Sequence, residues 1–258
     1  MAASALLEPG ELAPVALENE AGDSSFFLTG DHAGRAFPRR LGTLGLPEHE
    51  TWRHIAWDIG IGGVGRELSR LLDAAVILQT YSRLVVDCNR DPEVPSSIPG
   101  ISETTQIPGN HGLGKAERTA RVDAIFRPYH EAIAAALDRR SAEGRASVLV
   151  ALHSFTPVFK GVARPWHVAV LFNRDSRLAH PLAELLRAEG GLMVGENEPY
   201  AVSDFTDYTV PVHGERRGLA HVEIEIRQDL IASSEGQREW AERLARLLPA
   251  AYAQFQRQ

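Results

Sequence analysis

Cysteine is nearly absent from this chain of 258 residues, with Cys88 the single example. One cysteine excludes an internal disulfide and any zinc site built from several thiolates. It fits a reducing compartment, so a cytoplasmic location is the expectation. No run of about 18 apolar residues occurs, so no membrane span is expected. The opening stretch, MAASALLEPGELAP, has neither a basic region nor a long apolar core, and does not read as a signal peptide. Positive charge is also short, with 27 Lys and Arg against 34 Asp and Glu and a formal net charge of −7. A nucleic-acid binder normally carries a basic stripe, so that class is not expected.

Hydrophobic residues make up 44% of the chain, enough for a substantial core and too many for global disorder. The pattern along the chain alternates. Strands are read at Ser25–Thr29, Ala75–Leu78, Leu84–Asp87, Ser147–Leu152, His167–Phe172, Leu192–Val194 and His221–Ile226. Helices are read at Gly60–Ala74, Glu117–Arg140 (kinked before Pro128), Ser176–Glu189 and Ser234–Gln256. Residues 1–22 read as an irregular lead-in. The four prolines and four glycines of Asp91–Gly114 make a long loop, either disordered or functional. With no repeat and no linker, residues 1–258 are read as one domain. Strands alternating with helices argue for a layered α/β sheet with helices on both faces.

The segment Tyr81–Arg90, YSRLVVDCNR, places two arginines, an Asp and an Asn around a short apolar run. Charges at the ends of a buried run point to a site, because an unpaired buried charge is costly. A guanidinium there can hold a carboxylate bidentately, which suggests an anionic small molecule as ligand. Asp31-His32, His153-Ser154 and Glu223/Glu225 lie in or at the ends of expected strands, where open α/β sheets bind ligands. Two histidines and a carboxylate with an open position make up a catalytic zinc site, and a separate carboxylate can serve as general base. The competing reading makes these histidines loop residues that cap strand ends. Asp58 is open between metal ligand and helix N-cap. Glu223 and Glu225 share one strand face, opposite Val222, Ile224 and Ile226.

Three other patterns are weaker. Gly60-Ile61-Gly62-Gly63-Val64-Gly65 is a literal G-x-G-x-x-G. It lacks a buried first strand before it and an acid after the next strand, so close helix packing explains the glycines better. Cys88 follows an apolar run and reads as a buried, inert thiol rather than a nucleophile. Ser154 lacks the G-x-S-x-G elbow of a serine hydrolase.

Eight segments resemble, in one order, the N-formylglutamate amidohydrolase family: DHAGRAFP (31–38), HIAWDIG (54–60), YSRLVVDCNR (81–90), ETTQIPGNHG (103–112), HSFTP (153–157), RPWHVAVL (164–171), PVHG (211–214) and HVEIEIRQDL (221–230). The resemblance implies a three-layer α/β/α fold with a mixed, mostly parallel central sheet, phosphorylase/hydrolase-like and similar to zinc carboxypeptidases and aspartoacylase. It implies one divalent metal ion, zinc by expectation. It also implies hydrolysis of an N-formyl (or small N-acyl) amino acid, such as N-formyl-L-glutamate, to formate and the amino acid, as in histidine degradation. Carried over by position, His32 and His153 are metal ligands, with Asp58 the candidate third. A carboxypeptidase-like H-x-x-E is absent, because Arg35 stands where its Glu would be. Glu225 matches the family's strand glutamate better than Glu223 and is the expected general base. Asn89 and Arg90 are expected to hold the substrate carboxylate. Arg83 is a second anion contact or a structural pair for Asp87, and His213 an oxyanion donor. Two rivals are a related deacylase or carboxypeptidase-like hydrolase and a non-catalytic binder of anions. The oligomeric state is open, a homo-oligomer included.

Overall fold

The computed structural model describes residues 6–257. Its strands are β1 (Val15–Glu18), β2 (Phe26–Gly30), β3 (Ala75–Gln79), β4 (Ile101–Ser102), β5 (Thr105–Gln106), β6 (Val148–Phe155), β7 (Val158–Phe159), β8 (Val162–Ala163), β9 (Val168–Leu171), β10 (Val194–Glu196) and β11 (Ala220–Arg227). The α-helices are α1 (Ile61–Leu72), α2 (Lys115–Arg121), α3 (Arg127–Ala142), α4 (Ala179–Ala188) and α5 (Ser234–Phe255). Seven strands form one sheet in the order β1-β3-β2-β6-β11-β9-β10. β2, β3, β6 and β11 run parallel to their neighbours among themselves, and β9 runs parallel to β10. β1 on β3 and β11 on β9 are antiparallel. The sheet is thus mixed and mostly parallel.

Side-chain alternation divides the core. On one face Leu28, Val76, Val150, Leu152, Ile224 and Ile226 pack with Val64, Leu68, Leu182, Trp240 and Leu244 of α1, α4 and α5. On the other face Phe27, Ile77 and Leu149 pack with Tyr129, Ile133 and Leu137 of α3. Helices therefore cover both faces, giving three layers. The glycine run belongs to this packing. Gly60 has φ +84°, and a Cβ there would lie 2.1 Å from the Ile231 carbonyl oxygen. Gly65 lies against Val76, Leu78 and Leu152 of the sheet.

Three sequence expectations are corrected. Leu84–Asp87 is not a strand but a buried turn segment. Its backbone groups bond to side chains and a loop instead of a strand ladder: Leu84 O accepts from Asn110, Val85 O from Arg121, and Asp87 N donates to Ser97 O. The lead-in contains β1, which closes one sheet edge against β3. Glu117–Arg140 is part of a longer helical run, Lys115–Ala142, broken by a π-turn at Val122–Phe126. Pro128, which has no N–H to donate, lies in the first turn after it. Asp91–Gly114 is ordered as short turns and the β4–β5 hairpin.

Candidate active site

Parallel strands end on one edge of the sheet, and the polar clusters meet there. His32 follows β2, His153 lies near the end of β6, and Glu225 of β11 is its register partner. Asp58 arrives from the loop before α1. Its backbone N–H donates to His32 O at 2.9 Å. Its side chain does not cap the helix, whose N-cap is Gly60. Instead Asp58 Oδ2 lies 3.1 Å from His153 Nδ1 and 3.5 Å from His32 Nδ1, and accepts from Ser154 N–H at 3.1 Å. One ligand atom from each of His32, Asp58 and His153 falls within 4.8 Å of the others, and all three residues are buried.

Both rings are held from behind by carboxylates. His32 Nε2 is 2.7 Å from Asp87 Oδ1, and His153 Nε2 is 3.3 Å from Asp31 Oδ2. Asp31 is fixed in turn by Tyr129 OH at 2.7 Å and Thr209 Oγ1 at 2.8 Å. This is the outer arrangement that orients metal-ligating imidazoles. His32 Nδ1 is buried with no hydrogen-bond partner, and so are His153 Nε2 and Asp31 Oδ2, whose contact is an ion-pair approach rather than a hydrogen bond.

Charge balance points the same way. Asp31, Asp58, Asp87, Glu223 and Glu225 are all buried around this point. Arg83 is the guanidinium paired with them, at 2.6 Å from Asp87 and 3.5 Å from Asp58. Burial pushes Glu225 up to about 7 and Glu223 well above the usual carboxylate range. His153 is driven upward despite its burial, by Glu223 foremost and then by Asp31 and Asp58. Asp58 is held low against its burial, chiefly by His32 and His153. A divalent cation among these donors would relieve the excess of buried negative charge. The donor set of two imidazoles and a carboxylate fits such an ion.

The cluster forms the floor of a cavity of about 440 Å³. Glu223 and Glu225 line it, as do Arg83, Asn89 and Arg90. Arg90 Nη1 donates to Asn89 O at 2.9 Å and to Thr206 O, and no carboxylate pairs with it among the described residues. The Asn89 side chain is largely committed. Its Oδ1 accepts from Tyr208 and Thr209 N–H, and its Nδ2 donates to Asp207. His213 is not brought to the cavity. Its ring stacks on His130, with 3.0 Å between His130 Nδ1 and His213 Nε2, so an oxyanion role has no geometric support. Cys88 is fully buried and burial pushes its thiol well up, as an inert thiol requires.

Two residues, Asp31 and Glu103, have contacts that the sequence did not reveal. Asp31 was visible as the neighbour of His32, but its role behind His153 depends on Tyr129 and Thr209, far along the chain. Glu103 also lines the cavity and accepts from Arg53 at 2.5 Å and from Lys160 N–H at 3.2 Å, joining the β4–β5 and β7–β8 hairpins. The motif that contains Glu103 gives no sign of this link.

A family model described as N-formylglutamate amidohydrolase matches residues 24–232. Among solved structures, a gene product of Agrobacterium tumefaciens is similar at 40% identity, with 97% of this chain and 99% of that one covered and a TM-score of 0.94. An N-formylglutamate amidohydrolase from Ralstonia eutropha shares the fold at 20% identity and a TM-score of 0.68, covering 94% of this chain and 98% of that one. No curated protein sequence matches the chain.

Proposed function

The chain belongs to the N-formylglutamate amidohydrolase family, hydrolases of a linear amide bond, and from that premise we propose that it cleaves N-formyl amino acids, N-formyl-L-glutamate foremost, with one divalent ion. The observation that carries this reading is the convergence of His32 Nδ1, His153 Nδ1 and an Asp58 oxygen beside Glu225. Those three residues would hold the ion, zinc by the chemistry of the donor set. When bound, it supplies Lewis acidity toward the formyl oxygen and acidifies water.

The remaining work falls to side chains of the chain. Glu225 takes a proton from water and delivers it to the leaving amine. Burial that pushes this carboxyl up to about 7 makes it a competent proton carrier near neutrality. Glu225 is preferred over Glu223 for its surroundings. Glu225 pairs in register with His153, whereas Glu223 pairs with Ala151, one step further from the cluster. Arg90 holds the substrate carboxylate, since its other partners are neutral carbonyls. Arg83 lines the same cavity, but its Nε and Nη2 donate to Asp87, so it serves as the structural pair of that carboxylate. Asn89 contributes by fixing the 207–209 segment beside Arg90.

The test is formate release from N-formyl-L-glutamate by metal-loaded protein, with and without chelator. Release that chelation abolishes and zinc restores is expected. Metal uptake without formate release would favour another acyl group. Failure to take up metal would leave a binder of anions.

A further inference from the structure

Arg164, just after β8, is a buried cation that the mechanism above does not use. It is 9% exposed. Its guanidinium carbon lies 4.6 Å from the Phe159 ring centre, 4.7 Å from Tyr200 and 5.9 Å from Phe155. Its Nη1 donates to the Tyr200 hydroxyl at 2.8 Å. No carboxylate pairs with it among the described residues, unlike Arg53 and Arg83. Aromatic faces offset part of the cost of burying a guanidinium but do not neutralise it.

The three rings that enclose Arg164, those of Phe155, Phe159 and Tyr200, all line the active-site cavity. The Tyr200 oxygen already accepts from Arg164, so its own proton is free to donate. Tyr200 lines the same cavity as Glu225 and Arg90. An acceptor bonded there would sit against an apolar wall with a cation directly behind it. In such surroundings an anion is favoured over a neutral group of the same shape.

We propose that Tyr200, positioned and polarised by Arg164, is the residue that reads the acidic side chain of the substrate. This rests on the amino-acid amide reading, in which Arg90 serves the α-carboxylate and leaves a second carboxylate to be met elsewhere. Tyr200 touches the ligand, while Arg164 acts through it.

The experiment compares N-formyl-L-glutamate with N-formyl-L-glutamine, its neutral isostere, on the metal-loaded protein. It also measures binding of glutarate and of glutaric monoamide by calorimetry. In the wild type the acid is expected to be favoured by about tenfold or more in kcat/KM, mostly through KM, and in binding. Tyr200→Phe, at a half-exposed position that does not threaten folding, should bring both ratios toward one. Arg164→Met should do the same, and Arg164→Lys should restore part of the preference. Turnover of both substrates with no acid preference, or with a preference unmoved in Tyr200→Phe and Arg164→Met, overturns the subsite and leaves the reaction standing. If no N-formyl amino acid is cleaved, yet glutarate outcompetes its monoamide only when Arg164 and Tyr200 are present, the subsite stands and the reaction reading falls.

Discussion

At the His32–Asp58–His153 cluster each imidazole divides its nitrogens between two directions. His32 gives Nε2 to Asp87 and turns Nδ1 toward Asp58, and His153 turns Nδ1 the same way with Nε2 at an ion-pair distance of 3.3 Å from Asp31. The carboxylate behind each ring fixes its tautomer and makes the facing nitrogen a better donor. Asp87→Asn and Asp31→Asn are therefore expected to weaken metal binding by about 10–100-fold. Competition against a chromophoric chelator measures this. Equal affinity in wild type and variants would mean that the rings are held by packing alone. Glu225→Gln separates binding from turnover. It should keep the metal and lower kcat by about 10²–10⁴-fold, the usual worth of a positioned acid-base group. Loss of the metal instead would make Glu225 a ligand.

At the level of elements, α1 is pressed against α5 and the sheet, and its N-cap Gly60 and its internal Gly63 differ in what lies beyond them. At Gly60 a Cβ would meet the Ile231 backbone oxygen at 2.1 Å, in a left-handed conformation that alanine resists. At Gly63 the nearest atom is the flexible end of Gln237, at 2.0 Å. Gly60→Ala should cost about 3 kcal/mol and lower Tm by about 6 °C or more, whereas Gly63→Ala should stay within about 2 °C. Thermal melts of the two variants decide it. The same contrast explains what could be read from the chain. Strands β6 and β11 and helices α1, α4 and α5 showed themselves because their apolar period is local. The Leu84–Asp87 run looked like a strand because its partners, Asn110 and Arg121, lie 26 and 36 residues away and leave no local mark. The cluster of His32, Asp58 and His153 was legible from positions beside or at the ends of strands and from matched motifs. Asp31 behind it was not, since Tyr129 and Thr209 lie 98 and 178 residues on. His213 was misplaced for the same reason, because His130 is 83 residues away.

Across the whole molecule, buried ionisable groups set opposing pH dependences. No helix among the described residues is long and apolar enough to cross a membrane. With chelator present, Glu225, raised by burial to about 7, favours the fold at low pH and weakens it as pH rises through that value. His130 and His213 act in the other direction. Burial holds His130 down at about 4 and His213 at about 3, with each aided or opposed by its neighbours. Asp31 draws both upward. Asp138 also raises His213, while Arg217 and His130 press it down. His130 Nε2 donates to Cys88 O at 2.7 Å, so its Nδ1 is free to accept, and protonating Nδ1 would set it against His213 Nε2. A histidine depressed in the fold takes up its proton first in the unfolded chain. Stability is thus intact above about 6.5 and is lost as pH falls toward the folded value. Between pH 7 and pH 5 the loss is about 2 kcal/mol for His130 alone. His130→Gln removes that titration while keeping a donor for Cys88 O. The variant is expected to be less stable than wild type at pH 7, and the gap should narrow by about 2 kcal/mol by pH 5. Urea unfolding at a series of pH values measures the gap. A gap that stays constant would mean that His130 binds its proton as readily in the fold as out of it, with Asp31 compensating fully for burial.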